Sequence, residues 1–261
     1  MGWWGADATL HSIYTYSFND YQKSLYNRVI SDTKFLGCRD YHTVNVLRNN
    51  GFDSTLMTGC PAWYNLEYVN KINYTGPDFT KVNNICISDC SNPDNLPLLM
   101  EVLKYVRNFF PNANINLIFH RGLIQNIDLS NIITNNNISV IDISQSQDGF
   151  KYYDSCDLHI GFRVHAHIYN LSIRHASILI EEDSRGNGTN SALGLDSIKT
   201  KILTSYNNVQ YEDNIYITLQ LDDTILKLHS TNYHQFSNAY KIMNDSFKKM
   251  EYHIKSISQY I

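Results

Sequence analysis

The chain lacks any apolar run approaching the ~20 residues that a bilayer-spanning helix requires. It is also short of charge: Asp, Glu, Lys and Arg make up 18% of its 261 residues, against about a quarter in an ordinary soluble domain. Asn, Ile and Tyr take up the difference. No basic run occurs, and a net charge of -4 argues against an extended nucleic-acid surface. CxxC spacing is absent. The five cysteines, Cys38, Cys60, Cys86, Cys90 and Cys156, are an odd number, and Cys86 and Cys90, four apart, make a poor metal pattern. Reduced, mostly buried thiols are expected, with no bound metal. A GxGxxG fingerprint is missing, so nothing supports NAD or FAD binding. Met1-Gly2-Trp3-Trp4 leads into Gly, Asp and His rather than a basic stretch and an apolar core, so no signal peptide is expected. A soluble, cytoplasmic protein is the expectation.

What is present is alternation of strand and helix. The segment 34–38 reads as a strand ending in Arg39-Asp40, followed by a helix over 41–50 with Val44, Val46 and Leu47 as its apolar side, stopped by Gly51. A strand over 54–58 completes a βαβ unit. Upstream, a helix over 21–30 is expected to turn Leu25, Val29 and Ile30 toward a core. After a linker around 71–81 the pattern becomes regular, with strands at 84–88, 114–119, 139–143, 158–162 and 176–180. Helices are expected at 94–110, around 124–133 and near 150–156, with a further one from Val164 to Ile173. Five strands separated by helices predict a parallel, Rossmann-like sheet. The segment 196–230 carries no clear pattern. A last helix over 232–261 places Phe236, Tyr240, Met243, Phe247, Met250, Ile254 and Ile257 in one stripe.

The charged residues gather at the ends of two successive strands. Gly161-Phe162-Arg163-Val164-His165 follows one of them, and Glu182, Asp183 and Arg185 follow the other. In an open parallel sheet that edge lines the ligand crevice. Arg163 offers a planar fork suited to phosphate or carboxylate. A helix N-terminus beside it adds backbone N–H groups and partial positive charge, and His165 is a side chain able to take and return a proton near neutral pH. The alternative is that Arg163 pairs with Asp157 or Asp183 and His165 is a satisfied buried histidine. His167 lies about 200° further around a helix and is expected to point away. Arg185 is either a second clamp or part of a solvated cluster. His120 and Arg121, at another strand end, are weaker candidates.

The stretch GFRVHAHIYNLSIRHASILIEEDSRGNGTNSALGL, through Gly161, Arg163, His165, Asp183, Arg185 and Leu193-Gly194-Leu195, resembles the C-terminal motif of the polysaccharide pyruvyl transferase family. A second match lies upstream, where GCRDYHTVNVLRNNGFDSTLMTGCPA supplies Arg39, Asp40, Gly51, Gly59 and Pro61-Ala62, with Cys60 where many members carry Asp. The resemblance implies an α/β fold of two Rossmann-like domains arranged as in GT-B glycosyltransferases, with the active site between them. It implies a shortened acceptor-side domain over 1–80, a donor-side domain over 81–230, and a C-terminal helix, 231–261, packing across both. The implied reaction moves a pyruvyl group from phosphoenolpyruvate to a sugar of a cell-surface polysaccharide, closing a ketal, with no further cofactor. His165, Arg163 and Asp183 are the implied catalytic residues. Gly161, Arg163, Arg185 and His120 would hold the donor, and Arg39 and Asp40 would form a cleft or structural motif. The acceptor would be a sugar or lipid-linked oligosaccharide met in the cytoplasm or at the inner membrane face, and a homo-oligomer is left open. Two other readings stand beside this one: a GT-B glycosyltransferase using a nucleotide sugar, and an inactive truncated relative that binds glycans.

Overall fold

A computed structural model of the chain describes residues 2, 11–73, 81–122, 138–205, 208–211 and 214–258. The helix expected around 124–133 and most of the linker fall outside these residues.

The first unit opens with α1 (His11–Thr15) and α2 (Asp20–Thr33). Asn19 and Gln22 form a capping box at the start of α2, and Lys34 ends it in a left-handed conformation. Then β1 (Leu36–Cys38), α3 (Tyr41–Asn49) and β2 (Thr55–Met57) form a parallel βαβ unit. Asp40 caps α3, its carboxylate accepting from the Thr43 amide at 2.8 Å, and buries Val44, Val46 and Leu47 beneath the helix. The expectation for the earlier helix fails in part. No residue of α2 is fully buried, Leu25 and Val29 are both 44% exposed, and Ile30 alone of the three packs on the core. Their spacing is helical, but the two-stranded sheet is too narrow to cover that face.

The second unit holds one parallel sheet. Its strands are β3 (Asn84–Ser88), β4 (Asn114–Phe119), β5 (Ile138–Asp142), β6 (Leu158–Gly161), β7 (Ala176–Glu181) and the short β8 (Ile198–Lys199). They lie side by side as β5-β4-β3-β6-β7-β8. Counted from β3 this is 3-2-1-4-5-6, the doubly wound order, and its switch point falls between β3 and β6. Buried on both faces, β6 and β7 are apolar almost throughout, as parallel strands must be. The connecting helices are α4 (Leu96–Phe109), α5 (Val164–Ser172) and α6 (Ser184–Leu193). Leu99, Val102, Leu103 and Val106 seat α4 on the sheet.

Beyond β8, a hairpin pairs β9 (Lys201–Ser205) with β10 (Asn208–Tyr211) in antiparallel register. It precedes α7 (Asn214–Ser230), a helix in the segment without clear periodicity, which packs on α4. Asn232 and Tyr233 adopt left-handed backbone angles, so the last helix, α8 (His234–Ser258), starts two residues later than its pattern predicts. It packs against α6 at one end and against α2 and β2 at the other. Phe236, Tyr240 and Met243 are buried, whereas Ile254 is 57% exposed. The stripe serves as core toward the end that packs on α6 and is left open toward the other.

Candidate active site

Three helices begin at the C-terminal edge of the large sheet around its switch point, and each treats its orphan amides differently. An α-helix leaves its first amides without intrahelical partners. Before α4, the turn Ser91–Asn95 is closed by Glu182. Its carboxylate accepts from the Ser91 amide (2.8 Å), the Asn92 amide (3.1 Å) and Asn95 Nδ2 (2.7 Å). Before α6, Asp183 accepts from the Arg185 amide at 2.9 Å. Between them α5 has no side-chain cap; its N-cap residue is Arg163, and its first intrahelical bond runs from the His167 amide to the Arg163 carbonyl. The amides of Val164, His165 and Ala166 precede that bond. This end of α5 opens into a cavity of about 270 Å³.

The cavity gathers His120, Arg121, Arg163, His165, Asp183 and Arg185 from the sequence candidates, together with Ser91, Glu182 and a wall of Phe150 and Phe162. Gly161 lies under it. A Cβ there would stand 2.6 Å from the Ser88 backbone nitrogen and oxygen, so glycine is what lets β6 lie this close to β3. Arg39 and Asp40 are not among the lining residues. Arg39 Nε donates to Asp40 Oδ2 at 3.0 Å, and Asp40 caps α3. They reach the site indirectly: Gly188 of α6 packs on Asp40 and His42, where His42 Nε2 meets Asn187 Oδ1 at 2.8 Å.

Arg163 pairs with neither Asp157 nor Asp183. Its fork points back across the switch point to Asp89, Nε to Oδ1 at 2.6 Å and Nη2 to Oδ2 at 2.5 Å, while Nη2 also donates to the Cys90 carbonyl and Nη1 to Ser91 Oγ. Four of its five N–H groups are thereby used. Both partners are almost fully buried. Asp89 is the first residue past β3, and no local pattern ties it to the two motif strands; the pairing of β3 with β6 does. Asp157, meanwhile, accepts from the Asn83 and Asn84 amides at 2.9 Å each.

Beneath Arg163 runs a buried polar chain in which the direction of every proton can be assigned. The Arg163 amide donates to Ser88 Oγ, which contacts His159 Nε2. His159 Nδ1 meets Ser177 Oγ, Ser177 meets His167 Nδ1, and His167 Nε2 meets Asn190 Oδ1. An amide at one end can only donate, and the Asn190 oxygen at the other can only accept. Hence Ser88 and Ser177 donate to imidazole nitrogens, His159 carries its proton on Nδ1, and His167 carries its proton on Nε2. Burial keeps both rings neutral, pushing His167 down to about 4 and His159 well below its ordinary range. His167 thus points away from His165, into the core. The chain ties the turn bearing Arg163 and His165 to α6.

His165 itself is exposed on the cavity side. Partial burial lowers its proton affinity, and so do the surrounding guanidinium groups of Arg185, Arg163, Arg39 and Arg121. His120 is held more firmly neutral: burial, Arg163 and His165 bring it to about 4, and Nε2 sits 2.8 Å from the Tyr153 hydroxyl. Arg185 is bound to Asp183, Nη2 to Oδ2 at 2.5 Å. Arg121, exposed at the end of β4, makes no hydrogen bond or ion pair with any described residue. The site is therefore an open helix N-terminus with a neutral imidazole, set in a positive field. Among the described residues no three His, Cys, Asp or Glu side chains converge as a metal site. All five cysteines are free thiols.

A model of the polysaccharide pyruvyl transferase family matches residues 11–183, which include β1 through β7 and the turn bearing Arg163 and His165, and end at Asp183. The chain belongs to the polysaccharide pyruvyl transferase family. The family's α/β architecture is also visible among solved structures. S. aureus MnaA in complex with UDP superposes with a TM-score of 0.56 at 14% identity, covering 93% of this chain and 67% of that one. A protein described as a UDP-N-acetylglucosamine 2-epimerase from Listeria monocytogenes gives 0.51 at 13% identity, covering 89% and 62%. At such identities the likeness shows a fold, that of the GT-B enzymes, and not an activity. This member of the family spans about two-thirds of the length of those neighbours. No curated protein matches it. No helix among the described residues is long and apolar enough to cross a membrane.

Proposed function

We propose that the chain transfers the pyruvyl group of phosphoenolpyruvate to a hydroxyl pair on a sugar of a cell-surface polysaccharide, forming a ketal and releasing inorganic phosphate. The observation that carries this reading is the uncapped start of α5, the helix N-terminus at the switch point that no side chain closes, with His165 and the arginines around it. Such an end, with its amides and partial positive charge, suits a phosphate.

In this reading the donor phosphate sits on the amides of Val164 and His165, which line the cavity, with the remaining N–H of Arg163 beside it. A sugar hydroxyl bonds to C2 of the donor and C3 takes up a proton, giving a methyl group. The C2–O bond to phosphate breaks, and the second hydroxyl closes the ketal. Of the two hydroxyl protons one ends on C3 and the other on phosphate. His165, neutral before the donor binds, is set to accept a hydroxyl proton. The charge of the bound donor offsets the arginines and raises its proton affinity, so it can return that proton. Asp183, a carboxylate that lines the cavity, is the candidate to balance the positive charge developing at C2. No resident cofactor is part of the scheme.

The competing reading, a nucleotide-sugar glycosyltransferase, draws support from the GT-B fold and the UDP bound to MnaA. One feature counts against it. The first βα turn, where doubly wound domains often hold a pyrophosphate, already carries the Glu182 carboxylate. Incubation with phosphoenolpyruvate plus acceptor glycan, and separately with UDP- or CDP-linked sugars, decides between them. Phosphate release dependent on acceptor supports pyruvyl transfer, and nucleotide release without it refutes this reading.

A further inference from the structure

Of the three arginines lining the cavity, Arg163 is committed to Asp89 and Arg185 to Asp183. Arg121 alone among them carries a charge with no partner among the described residues, at the end of β4 on the far side of β3 from α5. An unpaired guanidinium at a cavity wall retains its whole fork, the geometry that matches a carboxylate with two parallel hydrogen bonds. Phosphoenolpyruvate has two anionic ends, a phosphate and a carboxylate. The phosphate suits the cluster of amides at α5, and the carboxylate then requires a second cationic group not already consumed by the protein. We propose that Arg121 grips the donor's carboxylate and so distinguishes phosphoenolpyruvate from phosphate or a simple phosphate ester. This rests on the reading of the donor given above. It reverses the weighting that the motif suggests. Arg163 holds the switch point together and contributes a single remaining N–H, whereas the ligand-reading arginine lies outside both motifs.

The same arrangement explains the surroundings of Arg121. Its neighbour His120 is kept neutral and hydrogen-bonded to Tyr153, so it adds no competing charge. Asp89, a buried carboxylate within the field of Arg121, has its oxygens taken by Arg163 and by the His120 amide at 3.3 Å. Among the described residues, none therefore forms a hydrogen bond or ion pair that draws the Arg121 fork away from a ligand.

The test is calorimetric titration of the full chain, wild type, Arg121→Met and Arg121→Lys, with phosphoenolpyruvate and separately with inorganic phosphate. Arg121→Met is expected to weaken phosphoenolpyruvate at least 10-fold while changing phosphate affinity less than 3-fold, and Arg121→Lys is expected to fall between. Equal weakening of both ligands would reduce Arg121 to general electrostatics and overturn the assignment, as would no change in either. If the wild type fails to bind phosphoenolpyruvate, the donor reading falls and this inference falls with it. If the wild type binds it and only the selectivity is absent, the donor reading survives and the role of Arg121 does not. As an exposed residue just past a strand end, Arg121 is not part of the core, and unchanged circular dichroism and melting confirm that each variant is folded.

Discussion

The turns that follow β6 and β7 are adjacent in the sheet and each carries an arginine, yet one is open and the other closed. After β7, Asp183 caps α6 and holds Arg185, so an acid and a base of the same turn satisfy each other. After β6, the cap position is occupied by Arg163, which cannot accept a hydrogen bond and turns back to Asp89. Val164 and His165, which follow it, line the cavity. Placing an arginine at an N-cap sacrifices the ~1 kcal/mol that Ser, Thr, Asp or Asn would contribute there. In the proposed function the gain is an anion seat beside His165. The local rule of helix capping is broken at one place, and that place is where the chemistry is proposed to occur.

The largest expected effect tests the open turn directly. His165→Ala should lower pyruvyl transfer by about 10²–10⁴-fold, the range usual for a lost general acid–base group, with an unchanged melting temperature because the side chain is exposed. Wild-type turnover would remove His165 from the mechanism. On the same residue, phosphoenolpyruvate binding is expected to take up protons near pH 6.5, because the arginines lower the proton affinity of His165 in the free protein and the anion restores it. Titrations in buffers of different ionisation enthalpy measure the uptake. Its persistence in His165→Gln would assign it elsewhere.

Next is the backward bond that keeps the turn open. Removing one member of a buried ion pair strands the other, at roughly 3–5 kcal/mol. Asp89→Ala is therefore expected to lose several kcal/mol in a denaturant titration, and Asp89→Leu with Arg163→Met to lose clearly less than Asp89→Ala alone. If the double variant is the less stable, the pair contributes more than the charge it neutralises.

A third effect belongs to the closed side. Glu181, at the end of β7, is pushed up to about 7 by burial, with an Asn187 amide on one oxygen. Its ordinary value is 4.5, so the folded state binds the proton more tightly than the unfolded one. The associated stability is complete below pH ~4.5 and lost as pH rises toward 7, up to about 3 kcal/mol in all. Glu181→Gln should flatten that part of the stability profile and be the more stable protein at pH 8. A wild-type profile without this slope would show that Glu181 is ionised throughout.

Much of this was legible in the chain and some was not, for identifiable reasons. The regular 3.6-residue and strand patterns located β3 to β7 and α4 to within about two residues, because parallel strands buried on both faces are continuously apolar. The cavity's charged residues were legible because they sit at strand ends. Partnership was not: Asp89 and Arg163 are 74 positions apart, and only the pairing of β3 with β6 makes them neighbours. For the same reason Glu182, read as part of an acidic cluster, proved to be the cap of a turn 90 residues away. Exposure misled in α2 and the end of α8, where helical spacing was correct but the narrow β1–β2 sheet offered too little surface to cover the stripes.

The smallest effect separates cap from charge within the closed turn. Asp183 acts both as a hydrogen-bond acceptor for the Arg185 amide and as an anion on the Arg185 side chain. Asparagine caps helices about as well as aspartate, whereas alanine does not, so Asp183→Asn should leave stability nearly unchanged and Asp183→Ala should cost about 1 kcal/mol. The partly exposed ion pair itself is expected to add little. Both variants remove a negative charge from the cavity wall, so both should bind phosphate a few-fold more tightly. If Asp183→Asn also loses turnover while keeping stability and donor affinity, the carboxylate acts on the reacting centre and the two turns share the chemistry. If turnover is kept, the closed turn is a wall, and the chemistry belongs to the open one.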